Sequence, residues 1–145
     1  MLKNLILFFI LPLITAQNLY SQKVNAEIIK YEINCNISSD NILTKETSII
    51  IQINNRAGED LTKISIPYSE NVPVTILIAQ LQSPSGNIIR KLKKKEITIK
   101  SDISYGALYE DDFKKTFTLK HNTYPYQIVY CYKKTYKEFF NIVYW

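Results

Sequence analysis

From Ile29 to Ser38 the chain alternates without exception: Ile29, Tyr31, Ile33, Cys35 and Ile37 are apolar, and the residues between them are polar. Successive side chains of a strand point to opposite faces, so this period of two describes a strand with one face buried and one wet. Ser38-Ser39-Asp40-Asn41 follows, four short polar side chains able to bond their own backbone, which is turn chemistry. The chain then returns as Ile42 to Asn54 with Ile49, Ile51 and Ile53 in phase, completing a predicted β-hairpin. Residues 55–60 read as a loop, with Gly58 expected at positive φ.

Short strands are predicted at Leu61–Ile66 and Val74–Gln82. The second is apolar on both faces in part, as a central strand covered on both sides would be. Ser83-Pro84-Ser85-Gly86 turns the chain, Pro84 suiting the first corner position. Weaker strands at 87–92 and 96–100 flank a lysine run, and 113–119 alternates again. No segment has convincing helical periodicity. Many short strands separated by turns predict an all-β fold, an antiparallel β-sandwich.

The stretch from Tyr124 to Phe140 holds five of the eleven tyrosines. Tyr124, Tyr126, Ile128, Tyr130 and Tyr132 take even positions, whereas Gln127, Val129, Cys131 and Lys133 take odd ones. This is a strand with a tyrosine ladder on one face, ending at a solvated exit marked by Lys133 and Lys134. Tyrosine has high strand propensity and packs well across strands. The ladder therefore reads as a wall of the core rather than a platform on which nucleic-acid bases stack.

The N-terminus bears on location. Lys3, the apolar run Leu5–Ile14 and the small residues Thr15 and Ala16 have the order of a secretory signal peptide, with cleavage expected after Ala16 or Ser21. The run is shorter than the roughly 20 residues a spanning helix needs. Residues 22–145 then form one domain, exported to the periplasm or beyond, with no transmembrane segment after cleavage. The chain's net charge of +5 is too mild to indicate nucleic acid. Export permits a disulfide between Cys35 and Cys131, but each lies in an apolar run, where a free cysteine behaves as a small buried hydrophobe.

Candidate chemistry is sparse. A thiol–imidazole dyad of His121 with either cysteine would need an exposed, electropositive thiol; both cysteines read as buried and His121 as a turn residue. Glu110-Asp111-Asp112 lacks the alternate ligand spacing of a calcium loop. Lys93-Lys94-Lys95 reads as a solvated loop or charge-protected edge. No metal or cofactor is expected.

Three segments carry a resemblance: Ile64-Ser65-Ile66-Pro67-Tyr68-Ser69, then Ala79 through Asn87, then Leu108 through Leu119, followed by His121-Asn122-Thr123-Tyr124-Pro125-Tyr126. Together they are similar to a bacterial domain of unknown function found at the N-terminus of exported proteins, ahead of a transglutaminase-like domain of the papain type. The resemblance spans roughly residues 24–145. Ser85 stands where that family usually has an acid, and Ser-Asp-Asn replaces its usual Asp-Gly; both keep turn chemistry. It implies a β-sandwich accessory module without its own activity, scaffolding or covering a downstream domain. The catalytic Cys, His and Asp of such proteins lie beyond this domain, so none maps onto this chain. Because Ile142-Val143-Tyr144-Trp145 resembles the middle of another strand, the domain is expected to be incomplete at its C-terminus. The alternative is an envelope module that binds a peptide or glycan through Tyr105, Tyr109 or Tyr136; a cysteine-dependent enzyme is a third reading.

Overall fold

The computed structural model describes residues 23–101 and 112–136. The expected signal peptide, Tyr105 and Tyr109, Glu110 and Asp111, and the C-terminal apolar segment lie outside them. The described chain forms eight strands: β1 (Ala26–Ile37), β2 (Leu43–Ile53), β3 (Lys63–Ser69), β4 (Val74–Gln82), β5 (Ile88–Lys91), β6 (Thr98–Ser101), β7 (Asp112–Thr118) and β8 (Tyr126–Tyr136). They make a five-stranded sheet of order β1-β2-β8-β4-β5 and a three-stranded sheet of order β3-β7-β6, with every pairing antiparallel. The architecture is the all-β sandwich that the alternation predicts.

The predicted hairpin is β1-β2, and its turn places Asn41 at φ 56°, a conformation asparagine tolerates. Pairing continues from β2 to β8 without a break, Leu43 opposite Tyr136 through Ile53 opposite Tyr126. This register puts the tyrosine ladder on the same face as Ile49, Ile51 and Ile53. Leu81 of β4 stands opposite Ile128 and Ala79 opposite Tyr130, extending the face across three strands. Against it pack Ile64 and Ile66 of β3, Phe117 of β7 and Leu119. Tyr126, Ile128, Ile53 and Leu119 lose all contact with solvent. The Phe117 and Tyr130 rings meet edge to face at 6.2 Å, a favoured aromatic geometry.

The opposite face of the large sheet carries a polar row at one end. In cross-strand register, Gln82 donates to Gln127 at 2.8 Å, Gln127 to Gln52 at 3.1 Å and Gln52 to Glu27 at 3.1 Å. This row of side-chain bonds crosses four strands and satisfies the half-buried amides.

Three local readings need correction. Residues 56–62 form a 3₁₀ segment rather than an open loop, with Asn55 Oδ1 accepting from the Ala57 amide at 2.9 Å. Gly58 is required there for space, not for positive φ: a Cβ would lie 2.4 Å from the Asn25 carbonyl oxygen. β4 is not covered on both sides, because a bulge between Ile76 and Ile78 leaves Leu77 and Ile78 nearly half exposed. The lysine run is exposed, as expected of a solvated loop, and is drawn into a short 3₁₀ turn by Glu96, which accepts from the Lys93 amide and from Arg90, both at 2.7 Å.

Candidate cleft at the open end of the sandwich

β8 does not end at its lysines. It continues to Tyr136, and Lys134 stands on the inner face in phase with the tyrosines. Register places it directly opposite Lys45 of β2 on one side and Val74 of β4 on the other. Lys45 in turn stands opposite Cys35 of β1. One row of the inner face therefore reads Cys35, Lys45, Lys134, Val74. The rows on either side are Ile33, Thr47, Tyr132, Ile76 and Ile37, Leu43, Tyr136.

Like charges directly opposite in a sheet are unfavourable. Among the described residues neither Lys45 nor Lys134 has an ion-pair partner. Burial, and then the neighbouring Lys45 charge, push the Lys134 ammonium below the ordinary lysine value. Tyr136 shifts the other way, raised by burial first and by Tyr132 second.

Lys134 and Tyr136 border a cleft of about 270 Å³ whose lining is completed by Pro67, Tyr68, Ser69, Val72 and Asp112. The far end of the small sheet forms the other wall, where Ser69 pairs with Asp112. The β3–β4 turn is fixed by the Val72 amide, which donates to the Ser69 carbonyl at 3.1 Å and reaches its hydroxyl at 3.2 Å. Tyr68 is held by Phe113, at 5.6 Å between ring centroids, and by the Lys115 ammonium 5.3 Å from its own centroid. Lys115 also donates to the Val74 carbonyl at 2.7 Å, so it belongs to the wall rather than the opening. The cleft thus presents an ammonium, two phenols and one carboxylate.

Of the sequence candidates, Tyr136 is at this cleft. Both cysteines are free thiols. They lie on opposite faces of the sheet with β2 between their strands, a separation of about 10 Å that no disulfide spans. Cys131 is buried on the outer face, its Sγ donating to Glu46 at 3.3 Å, and burial raises its pKa. Cys35 is exposed, contrary to expectation, because β1 is an edge strand whose inner face has little above it. His121 is far from either thiol in the strand register and packs edge-on to Tyr126 at 6.0 Å. Among the described residues no group of His, Cys, Asp and Glu is placed to hold a metal, and no helix is long and apolar enough to cross a membrane.

The sequence pattern gives no role to Lys45 or Tyr68, and its reading of Lys134 as a solvated exit is corrected: Lys134 lies within β8, half-buried on the inner face. The signal was present for two of them. Lys45 is in phase with Ile49, Ile51 and Ile53, and Lys134 with the tyrosines; a lysine in phase with an apolar stripe contradicts its surroundings.

No curated protein matches this chain. Its fold is similar to part of a solved structure from Parabacteroides distasonis ATCC 8503, described as a putative protease, with a TM-score of 0.68 and 12% sequence identity. The match covers 77% of this chain but only 23% of that one, so this chain spans less than a quarter of its structural neighbour. At that identity the likeness is one of fold. The sequence also matches a domain of unknown function, DUF3857, over residues 39–144. That stretch takes in the hairpin turn, both sheets from β2 onward and the whole cleft, and on it the chain belongs to the DUF3857 family.

Proposed function

We propose that this domain is a non-catalytic accessory module of an exported protein, set beside a transglutaminase-like domain that it orients or covers. The observation that carries the reading is the inner face of β1. Ile28, Tyr31, Ile33 and Ile37 share the core-facing side with Ile49 and Ile51, yet they remain between 39% and 62% exposed. An apolar stripe continuous with a core and left open marks a surface meant to be covered. The longer neighbour, in which the same fold occupies 23% of the chain, and the resemblance of the 64–69, 79–87 and 108–126 segments support a following domain as its cover.

Cys35 lies in that stripe and reports on it. In the isolated chain its thiol reacts at the rate of an exposed cysteine, and in the protein extended through the reading frame beyond Trp145 it is protected. A frame with no further domain, or equal reactivity in both proteins, overturns the proposal. Export is tested separately by N-terminal sequencing of the mature protein, which is expected to begin after Ala16 or Ser21.

The cleft favours a second reading, an envelope module holding a peptide or glycan. Tyr136 and Tyr68 supply stiff, amphipathic rings of the kind binding surfaces use. A substitution Tyr136→Ser that leaves retention on peptidoglycan or envelope extract unchanged counts against it.

A further inference from the structure

We propose that the cleft between the ends of β3 and β8 binds a carboxylate, with Lys134 as its cationic contact, Lys45 as a second positive charge behind it on the neighbouring strand, and Tyr136 as its ring wall. This inference does not depend on a following domain. It starts from a feature that the fold has no use for. Two lysines face each other in cross-strand register on the apolar side of a sheet. Each flanking row is apolar or neutral: Tyr132 with Thr47, and Tyr136 with Leu43. Opposed like charges destabilise a sheet, and partly burying an ammonium without a counter-ion adds to the cost. Hydrophobic residues at both positions would make a better core. What offsets such an arrangement is an anion that arrives from outside.

The surroundings narrow the anion. Asp112 is the one carboxylate among the residues lining the cleft, and it makes no ion pair with Lys134 among the described contacts. Within the lining Lys134 and Asp112 balance, and the single net positive charge comes from Lys45 across the strand pair, which suits a monoanion better than a doubly charged phosphate. Tyr136 and Val72 border the same opening, so the body attached to the carboxylate is apolar or aromatic. At about 270 Å³ the cleft is slightly below the usual range for small-molecule sites and fits one ring with its acid group. A free aromatic acid and the carboxylate end of a peptide share that chemistry.

The test is an amide-resolved NMR titration of the full chain with benzoate, with benzamide as the uncharged twin, and with a short peptide ending in phenylalanine as free acid and as amide. Benzoate is expected to shift Lys45, Lys134, Tyr136 and Ser69 saturably and benzamide to shift none of them. If the peptide acid binds more tightly than benzoate, the natural ligand is a chain terminus; if more weakly, a free acid. Lys134→Met and Lys45→Met each weaken benzoate about tenfold or more. Lys133→Gln, on the opposite face, leaves it unchanged, and Lys134→Arg retains most of it. Each Met variant is also expected to melt at or above the parent temperature, because a repulsion has been removed, which separates loss of binding from loss of folding. Equal binding of benzoate and benzamide, shifts mapping elsewhere, or undiminished affinity in both Met variants overturns the proposal.

Discussion

The two halves of β8 obey one alternation and do opposite things. Tyr126, Ile128 and Tyr130 are enclosed by Ile53, Ile51, Leu81, Phe117 and Leu119, whereas Tyr132, Lys134 and Tyr136 are only partly covered. The first half is closed by a clip. Glu59 of the 3₁₀ segment accepts from the Tyr124 hydroxyl and pairs with Lys120 at 2.7 Å, tying the crossing between the sheets to the large sheet's end. Across the second half the described residues give one such link, the Lys115 ammonium donating to the Val74 carbonyl, and beside it a pair of lysines takes the positions that the pattern reserves for apolar residues. The closed half is packed as a core, and the open half is not.

The sharpest way to break this comparison is to truncate one residue in each half. Ile128→Ala is expected to cost between about 2 and 5 kcal/mol, since the methyls it removes are fully buried and the cavity cannot collapse freely. Lys134→Met, three rows further on the open side, is expected to move the urea midpoint the other way. A similar loss from both would mean that the open end is as tightly packed as the closed one.

The clip provides a second contrast, visible against pH. Lys120 first, then the Tyr124 hydroxyl, hold the Glu59 carboxyl below its ordinary value. Its ionised form therefore stabilises the fold above the ordinary carboxylate range, and that contribution is lost as pH falls through the lowered value. The melting-temperature gap between the parent and Glu59→Gln is expected to be full at neutral pH and to close in acid. At the alkaline end Tyr124 is pushed up to about 12, chiefly by Glu59. The protonated phenol thus stabilises the fold below pH 10 and stops doing so as pH rises through about 12. In Glu59→Gln, tyrosinate absorbance should appear at lower pH.

The smallest effect is expected at β1. Ile33→Thr keeps the branched β-carbon that suits a strand and alters a side chain already 39% exposed. It should change stability of the isolated chain by no more than about 0.5 kcal/mol. A larger loss in denaturant titration would show that the stripe is already packed under cover.

Periodicity made the architecture legible, because a period of two carries the inward and outward sides of every strand. It identified Ile49, Ile51 and Ile53 as one face of their strand and Tyr126, Ile128 and Tyr130 as one face of theirs; the β2–β8 register then joined the two. It could not say which strands lie at an edge. Ile33 and Cys35 have the same alternation as Ile49 and Ile51, but a core-facing position is buried only if another layer lies over it. The same limit hid the cleft: Lys45 and Lys134 are 89 positions apart in sequence, and only the β2–β8 register makes them neighbours. Gly58 was misread for a related reason. Its requirement comes from the Asn25 carbonyl, a contact between segments that local turn chemistry does not encode.

The sheet order has a consequence for how the chain assembles. β1 with β2, and β4 with β5, are joined through short connections and can form as hairpins from nearby residues. Only β8, the last described strand, links them into one sheet. Until residues 126–136 have emerged and docked, the two hairpins share no backbone bonds, and an isolated hairpin is at best marginal in water. Such distant pairing slows folding, so the nascent chain stays extensible until β8 has been made. Mutations in β8 should accordingly slow refolding as well as lower stability, whereas those in the β1–β2 turn act mainly on the local hairpin.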